Sequence, residues 1–179
     1  MHFLEHFHTK TLKYELLNKF FYKSTKKLPT LKKIVLNFGC KTNDSKSLIS
    51  SLLALKLITN QKGVLTAANK SNITLKIKKG NPVGCKITLR NKQMFWFLTE
   101  TIVQIFPKIK NFDGFVFNQK SKTKFFSFQI HDTLVFPILE KNYYLFNSLP
   151  TLKVTLVIEA NSKEETLFIL KLLQLPFKK

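Results

Sequence analysis

The side chains best suited to chemistry in this sequence are cations that recur at alternate positions of two short segments. In residues 73–79 the apolar Ile73, Leu75 and Ile77 alternate with threonine and lysine, and residues 85–90 repeat the pattern after a Gly-Asn-Pro-Val-Gly segment. Such alternation is typical of strands with one buried face, so we predict a basic hairpin over residues 73–90. Its outward row would contain Lys76, Lys78, Lys79, Lys86 and Arg90.

The connecting segment of this hairpin contains Gly80 and Gly84. Two glycines remove side-chain bulk, so the backbone there can approach an RNA surface closely while the flanking lysines attract phosphates. A basic hairpin can also be no more than a solvated face. The charge of the whole chain favours the binding interpretation.

That charge is extreme for a chain of 179 residues. Lysine and arginine total 30 against 10 acidic residues, which gives a formal net charge of +20. Self-repulsion on this scale calls for a polyanion, so we predict nucleic acid as the first candidate partner and an anionic membrane surface as the second. A spanning helix needs about 20 consecutive apolar residues, and lysines interrupt every apolar stretch, so we expect no membrane crossing.

The type of basic residue carries further information, because Arg90 is the only arginine. A guanidinium binds phosphate in a bidentate fashion or stacks on a base, which lysine cannot do; the alternative is that Arg90 is a chance remnant. Lysine, phenylalanine, asparagine and isoleucine have AT-rich codons. The composition therefore indicates a gene from an organelle or an AT-rich bacterium.

The residues of enzyme and metal sites do not form recognisable groups here. Cys40 and Cys85 are too far apart in sequence for a zinc motif, and the pair His131–Asp132 has no nucleophile beside it. The histidines at positions 2, 6 and 8 indicate a solvated helix start and not a metal site, and the five glycines spell no nucleotide-binding fingerprint. We therefore expect no catalytic residue, no metal and no cofactor.

Apolar periodicity predicts the elements that must position the basic hairpin. The predicted fold class is α+β, a mostly antiparallel sheet with helices packed on one face, in a single domain over residues 1–179. The expected helices are residues 3–22, residues 95–106, a helix that begins at Asp44 or Ser45 and closes at residues 60–63, and a helix that begins at Asn161 or Ser162 and ends at Pro176. The expected strands outside the hairpin are residues 31–38, 125–130 and 152–160. Residues 108–124 are expected to form a partly exposed loop.

Residues 31–39 (Leu-Lys-Lys-Ile-Val-Leu-Asn-Phe-Gly) and 73–90 resemble the bacterial-type family of ribosomal large-subunit protein five, which binds 5S ribosomal RNA. Further landmarks fall in the family's order at residues 57–62, 106–114, 136–137 and 175–179, so the resemblance covers nearly the whole chain. It implies a structural, non-enzymatic protein of the central protuberance. The implied partners are 5S or neighbouring large-subunit rRNA, P-site tRNA, adjacent large-subunit proteins and a small-subunit head protein across an intersubunit bridge.

The resemblance also implies site residues, by matching motif. Lys33, Asn37, Gln61 and Thr88 correspond to 5S contacts, and we add Arg90 to this rRNA-binding set. The loop expected to reach the tRNA elbow contains Lys78, Lys79, Gly80, Asn81 and Pro82. Lysines would supply salt-dependent phosphate attraction, while asparagine, glutamine and threonine would fix the register.

Two departures from the family pattern bear on these assignments. A stretch that is rich in glycine and aspartate in the family is Ser-Lys-Thr-Lys-Phe-Phe at residues 121–126 here, which puts the bridge loop in doubt. Asn60 and Gly63 replace a usual glycine and proline near Gln61. We predict a mitochondrial ribosome, with a plastid or an AT-rich bacterium as the alternative. The alternative function is a basic membrane-surface or generic RNA-binding scaffold protein that uses helix 3–22.

Overall fold

A computed structural model describes residues 3–22, 24, 27–40, 45–110, 112–116 and 124–178. The strands are β1 (Thr30–Gly39), β2 (Val64–Ala67), β3 (Pro82–Leu89), β4 (Phe125–Ile130) and β5 (Leu152–Glu159). The α-helices are α1 (Phe3–His6), α2 (Leu12–Lys19), α3 (Ser45–Thr59), α4 (Asn91–Glu100), α5 (Pro137–Glu140), α6 (Tyr143–Phe146) and α7 (Lys163–Leu172). Single π turns, Phe7–Thr11 and Thr101–Ile105, follow α1 and α4.

The strands form one five-stranded antiparallel sheet in the order β2-β3-β1-β5-β4. Every strand except the short β2 buries a row of side chains, and β4 and β5 alternate buried and accessible residues throughout; in β5 the buried set is Leu152, Val154, Leu156 and Ile158. Burying one row of each strand is what drives these segments to pair and pack. The predicted fold class, α+β with a mostly antiparallel sheet, is confirmed, and strands β1, β4 and β5 agree with the predicted segments to within one or two residues.

Contacts divide the chain into two compact units, and unit one comprises residues 1–34, 89–127 and 155–179. Its described part contains a cluster of aromatic rings. Phe112 stacks on Phe106 with ring centroids 5.2 Å apart, and Phe115 meets both edge-on. The Phe115 amide also donates to the Pro176 carbonyl oxygen at 2.7 Å. The segment predicted as a partly exposed loop, residues 108–124, therefore also supplies half-buried rings that pack on Phe106.

Unit two comprises residues 35–88 and 128–154. Helix α3 packs there against α5 and α6, and its buried residues include Leu48, Ala54, Leu55 and Ile58. Neither α5 nor α6 was predicted. A four-residue helix is too short to display a 3.6-residue repeat, so its sequence contains no periodic signal. That residues 1–179 form a single domain stays a prediction.

The helix predictions at the two chain ends are confirmed. Residues from Phe3 are helical through Lys19, and the helix ends because Phe20 adopts an extended backbone conformation. Helix α7 has its N-cap at Ser162, one of the two predicted starts, with a capping box: the Ser162 hydroxyl accepts from the Glu165 amide at 3.2 Å, and the Glu165 carboxylate accepts from the Ser162 amide at 3.4 Å. The alternative cap proposed for α3, Asp44, lies outside the described residues.

The prediction that residues 73–79 form the first strand of a hairpin is wrong. The partner of β3 is β2, with Val64 opposite Lys86 and Leu65 opposite Cys85, whereas residues 68–81 form a loop. Within it Asn72 and Ile77 exchange backbone hydrogen bonds of 2.8 and 3.0 Å around a four-residue turn. The Asn72 side chain accepts from the Leu75 amide, so local hydrogen bonds compete with strand pairing.

The turn reverses two of the expected orientations. Ile77 is buried as predicted, but Ile73 is 94% exposed and Leu75 is 43% exposed, although both were expected to face the core. Alternation of apolar and polar residues predicts a strand only where a neighbouring strand is available to pair.

Among the helices of the described residues, none combines the length and apolar character needed to cross a membrane.

Candidate nucleic-acid interface

The strand pattern determines where most of the predicted rRNA contacts lie. In β1 the buried Ile34, Leu36 and Phe38 alternate with the half-buried Val35 and Asn37. In β3 the buried Ile87 and Leu89 flank the half-buried Thr88 in the same way. Because successive strand residues point to opposite faces, Asn37 and Thr88 each project from the accessible face of their strand.

In unit one, four cations line one shallow depression, which we call the cationic patch. It contains Lys32 and Lys33 of β1, Arg90 directly after β3, and Lys124 directly before β4; Phe125, Val157, Ile158 and Glu159 complete its lining. The Ile158 amide donates to the Lys124 carbonyl oxygen at 3.0 Å, which fixes the start of β4 beside β5. The structure therefore brings together the predicted Lys33 and Arg90.

An ion pair sets the charge of the cationic patch. Lys32 Nζ lies 2.7 Å from a Glu159 carboxylate oxygen, and both side chains are largely exposed. The hydrogen bond and charge of Lys32 lower the pKa of Glu159, with a smaller contribution from the charge of Lys124. Glu159 therefore stays ionised at neutral pH, and four cations against one carboxylate leave three positive charges. Such a surface attracts phosphate groups.

An aromatic ring belongs to the same surface. Phe125 is 44% exposed and lines the cationic patch beside Lys124 and Arg90. Exposed rings next to cations provide a platform for an unpaired base. Sequence reasoning missed Lys32, Lys124 and Phe125 as site residues. The signal available for Lys124 and Phe125 was only their place at the start of a predicted strand.

The remaining predicted rRNA residues belong to unit two. Gln61 follows the end of α3, where Asn60 takes a left-handed conformation with φ of 55°, and the Gln61 amide donates to the Thr59 hydroxyl at 3.3 Å. An asparagine in this conformation commonly ends a helix. Gln61, like Asn37 and Thr88, is half-buried, so its amide group is held near the surface by ordered backbone.

The predicted tRNA loop differs from the expectation in its geometry. Lys78, Lys79, Gly80 and Pro82 are exposed and Asn81 is half-buried. Gly80 has φ of +90°, and its amide donates to the Ala68 carbonyl oxygen at 3.0 Å, while the Ala68 amide donates to Asn81. Gly80 and Asn81 thus form the base of the loop. Its tip is the turn from Ile73 to Lys76, and Gly84 is a strand residue.

The Cys85 thiol is not prepared for chemistry. Burial, and then the neighbouring Cys40, raise the pKa of Cys85 to about 12, although a backbone hydrogen bond at Phe38 opposes the shift. Cys85 therefore stays protonated at neutral pH, and a thiol is a poor nucleophile and ligand. Within the described ranges no three His, Cys, Asp or Glu residues come together as metal ligands. His2 and the side chain of His8 lie outside those ranges.

Comparison with known proteins assigns a family to this arrangement. A model of the C-terminus of the ribosomal L5 family matches residues 82–177. The large ribosomal subunit protein uL5m of Reclinomonas americana is 35% identical over 181 residues, which cover 100% of both chains. The uL5c protein of Oedogonium cardiacum is 36% identical, over 98% of this chain and 97% of its own. The uL5 protein of Baumannia cicadellinicola subsp. Homalodisca coagulata is 34% identical, over 92% of this chain and 91% of its own.

The family model begins with β3 and ends just beyond α7, and the relatives align over nearly the whole chain. The similarity therefore includes every strand that contributes to the cationic patch. It also includes the amino-terminal helices, which the family model does not match. The chain belongs to the ribosomal L5 family.

Proposed function

We propose that this protein binds 5S rRNA, or the large-subunit rRNA that takes its place, through the cationic patch and the accessible faces of β1 and β3. We further propose that the loop between β2 and β3 contacts P-site tRNA. The observation that carries the first proposal is the convergence of Lys33 and Arg90, both predicted from sequence, with Lys32, Lys124 and Phe125 on one surface.

The broader role follows from family membership. The chain is a structural constituent of the large ribosomal subunit and works in translation. Ribosomal proteins of this family are not enzymes. The likeness to uL5m supports the predicted mitochondrial ribosome, and the likeness to uL5c is in line with the plastid alternative.

The physical support for rRNA binding is a division of labour among the site residues. Three net positive charges at the cationic patch attract the phosphate backbone, and Arg90 can bind one phosphate with two parallel hydrogen bonds. Asn37, Gln61 and Thr88 are uncharged donors and acceptors that can contact sugar or base edges. Their half-burial limits the rotamers they can take, which lowers the entropy lost on binding.

The support for the tRNA contact is the exposure of the loop. Lys78 and Lys79 are exposed beside Gly80, whose positive φ and absent side chain leave the backbone open. The loop lies in residues 73–90, one of the segments whose sequence resembles the family. A bridge to a small-subunit head protein also stays a proposal, and residues 121–123, part of the divergent stretch, lie outside the described residues.

Ultraviolet crosslinking of the protein in its native organelle extract, with sequencing of the attached RNA, tests the proposed partner. We expect reads on 5S or large-subunit rRNA from crosslinked peptides that contain Lys33 or Phe125, and reads on tRNA from peptides that contain the 78–82 loop. Reads scattered over unrelated transcripts would reduce the protein to a generic basic RNA binder.

A pair of variants tests the surface. We expect a Lys33→Ala/Arg90→Ala chain to enter large subunits poorly, because it loses two of the cations of the patch. Lys56→Ala/Lys141→Ala, which removes two exposed lysines outside the cationic patch, is the matched control for loss of charge and should be incorporated normally. Equal incorporation of the wild type and both variants would mean that the sheet surface does not hold the RNA.

A further inference from the structure

Two exposed aromatic rings, one on α2 and one just beyond its end, lie outside the cationic patch. Leu12 and Leu16 are fully buried, but Tyr14 is 68% exposed, and Phe21, just beyond the helix end, is completely exposed. Single exposed apolar residues are common. Here, however, two exposed rings are close in sequence, and the same segment exposes lysines at positions 10 and 13. This combination is a candidate binding surface.

Within unit one, a groove between α2 and α7 begins at Lys19 and Phe20, the two residues that precede Phe21 in the chain. Phe20 and Phe168 meet edge-on there with centroids 5.8 Å apart, and Lys19 Nζ lies 4.1 Å from the centre of the Phe168 ring. Lys163 and Lys171 line the same groove, against a single acidic residue, Glu164. The groove is therefore positive and partly aromatic.

We propose that α2 and α7 form a second RNA-binding surface, which holds unpaired nucleotides of large-subunit rRNA. Bases stack on Tyr14 and Phe21, and Lys19 and Lys171 receive the adjoining phosphates. This inference rests on the chain being a ribosomal protein. It does not require that 5S rRNA binds at the cationic patch.

The charge and composition favour RNA over the other two occupants of such a surface. Protein interfaces are depleted of lysine at their centre, whereas here lysines alternate with the rings along the helix and line the groove. Membrane-surface helices bury a continuous apolar face, but the exposed Tyr14 and Leu17 of α2 are interrupted by exposed lysines at positions 13 and 19, and the buried leucines of α2 face the core. Rings interleaved with cations are the pattern of single-stranded RNA sites.

Anisotropy of a labelled oligoadenylate of about 12 nucleotides, a length within the usual site size, measures the proposed contact directly. The full chain is used in a Lys33→Ala/Arg90→Ala background, which weakens RNA binding to the cationic patch. We expect Tyr14→Leu/Phe21→Leu to weaken binding about tenfold or more, because leucine keeps the apolar area and loses the stacking face. Tyr14→Phe/Phe21→Tyr keeps both rings and should bind like its parent.

The matched control is Tyr143→Leu/Tyr144→Leu, the same chemical change at two tyrosines of α6 that are 64% and 66% exposed. It should leave affinity unchanged. Equal losses from both leucine pairs, or no loss from either, would overturn the proposal. So would binding to phosphatidylglycerol vesicles without binding to RNA, or crosslinks from residues 10–21 to a neighbouring protein in isolated ribosomes. Failure of the sheet variants to affect ribosome incorporation would overturn only the proposed function.

Discussion

At the scale of single residues, Gly84 shows how closely two strands approach. A Cβ atom at this position would lie 2.5 Å from the Phe38 carbonyl oxygen and 3.0 Å from the Thr66 hydroxyl. The backbone oxygen cannot move aside as a flexible side chain could. We therefore predict that Gly84→Ala lowers the free energy of unfolding by about 1–3 kcal/mol, the usual cost of overpacking, as measured by urea denaturation.

Gly39, at the end of β1, is the matched control for that substitution. A Cβ atom there would meet nothing within 4 Å, and no left-handed conformation is required. Gly39→Ala should change the unfolding free energy by less than about 0.5 kcal/mol, in either direction. A Gly84→Ala chain as stable as the Gly39→Ala chain would show that β1 and β3 are not so closely apposed.

Tyr22 gives a residue-scale prediction about pH. Burial, and then the negative charge of Glu165, raise its pKa from 10.0 to about 12. The folded state therefore retains the phenol proton at pH values where the unfolded state has lost it, so this contribution to stability is complete below pH 10 and is lost as the pH rises toward 12. Unfolding free energies above pH 10 should fall more steeply for the wild type than for Tyr22→Phe.

Tyr14→Phe removes an exposed hydroxyl from the neighbouring helix and controls for the chemical change. Its stability should follow the wild-type pH dependence, because lysine titration is common to all three chains. If Tyr22→Phe and Tyr14→Phe gave the same slope, the neighbourhood of Glu165 would not control the Tyr22 phenol.

At the scale of elements, sequence reasoning succeeded where burial and pattern coincide. Strands β1, β4 and β5 alternate because one row of each is buried, and α7 was located by its cap. The prediction of the hairpin's first strand failed because apolar and polar residues alternate in 73–79 although that segment has no strand to pair with. The true partner, β2, has mostly exposed side chains and displays little alternation. Pairing is a property of two segments, and periodicity reports on only one.

The cap of α7 is an element whose energy can be measured. Ser162→Ala removes the hydroxyl that accepts from the Glu165 amide at 3.2 Å, leaving that amide without its partner. We predict a loss of about 1 kcal/mol in the free energy of unfolding, typical of an N-cap serine. Ser71→Ala, at an exposed loop position, is the control and should be neutral. Equal stability of the two variants would mean that the capping box contributes nothing.

At the scale of the whole molecule, the sequence predicted the type of partner better than the surface that meets it. The charge of +20 indicated a polyanion, and Lys33 and Arg90 could be named in advance. Lys32, Lys124 and Phe125 could not, because the strand order β3-β1-β5-β4 is what gathers them, and no local pattern encodes that order. The residues that complete the cationic patch are neighbours only in the folded sheet.

The division of roles on the RNA-binding surface can be tested through salt dependence. Each phosphate neutralised by a lysine adds about 0.9 to the slope of log affinity against log salt for a duplex, so Lys33→Ala should flatten the slope by about one. Asn37→Ala and Thr88→Ala should instead each cost about 1–2 kcal/mol in affinity at every salt concentration, because they remove hydrogen bonds and not charge. Lys56→Ala, on α3, should alter neither quantity. Titrations of the full chain with 5S rRNA or a large-subunit rRNA fragment measure both, and identical behaviour of the Lys33, Asn37 and Thr88 variants would contradict separate electrostatic and register-fixing roles.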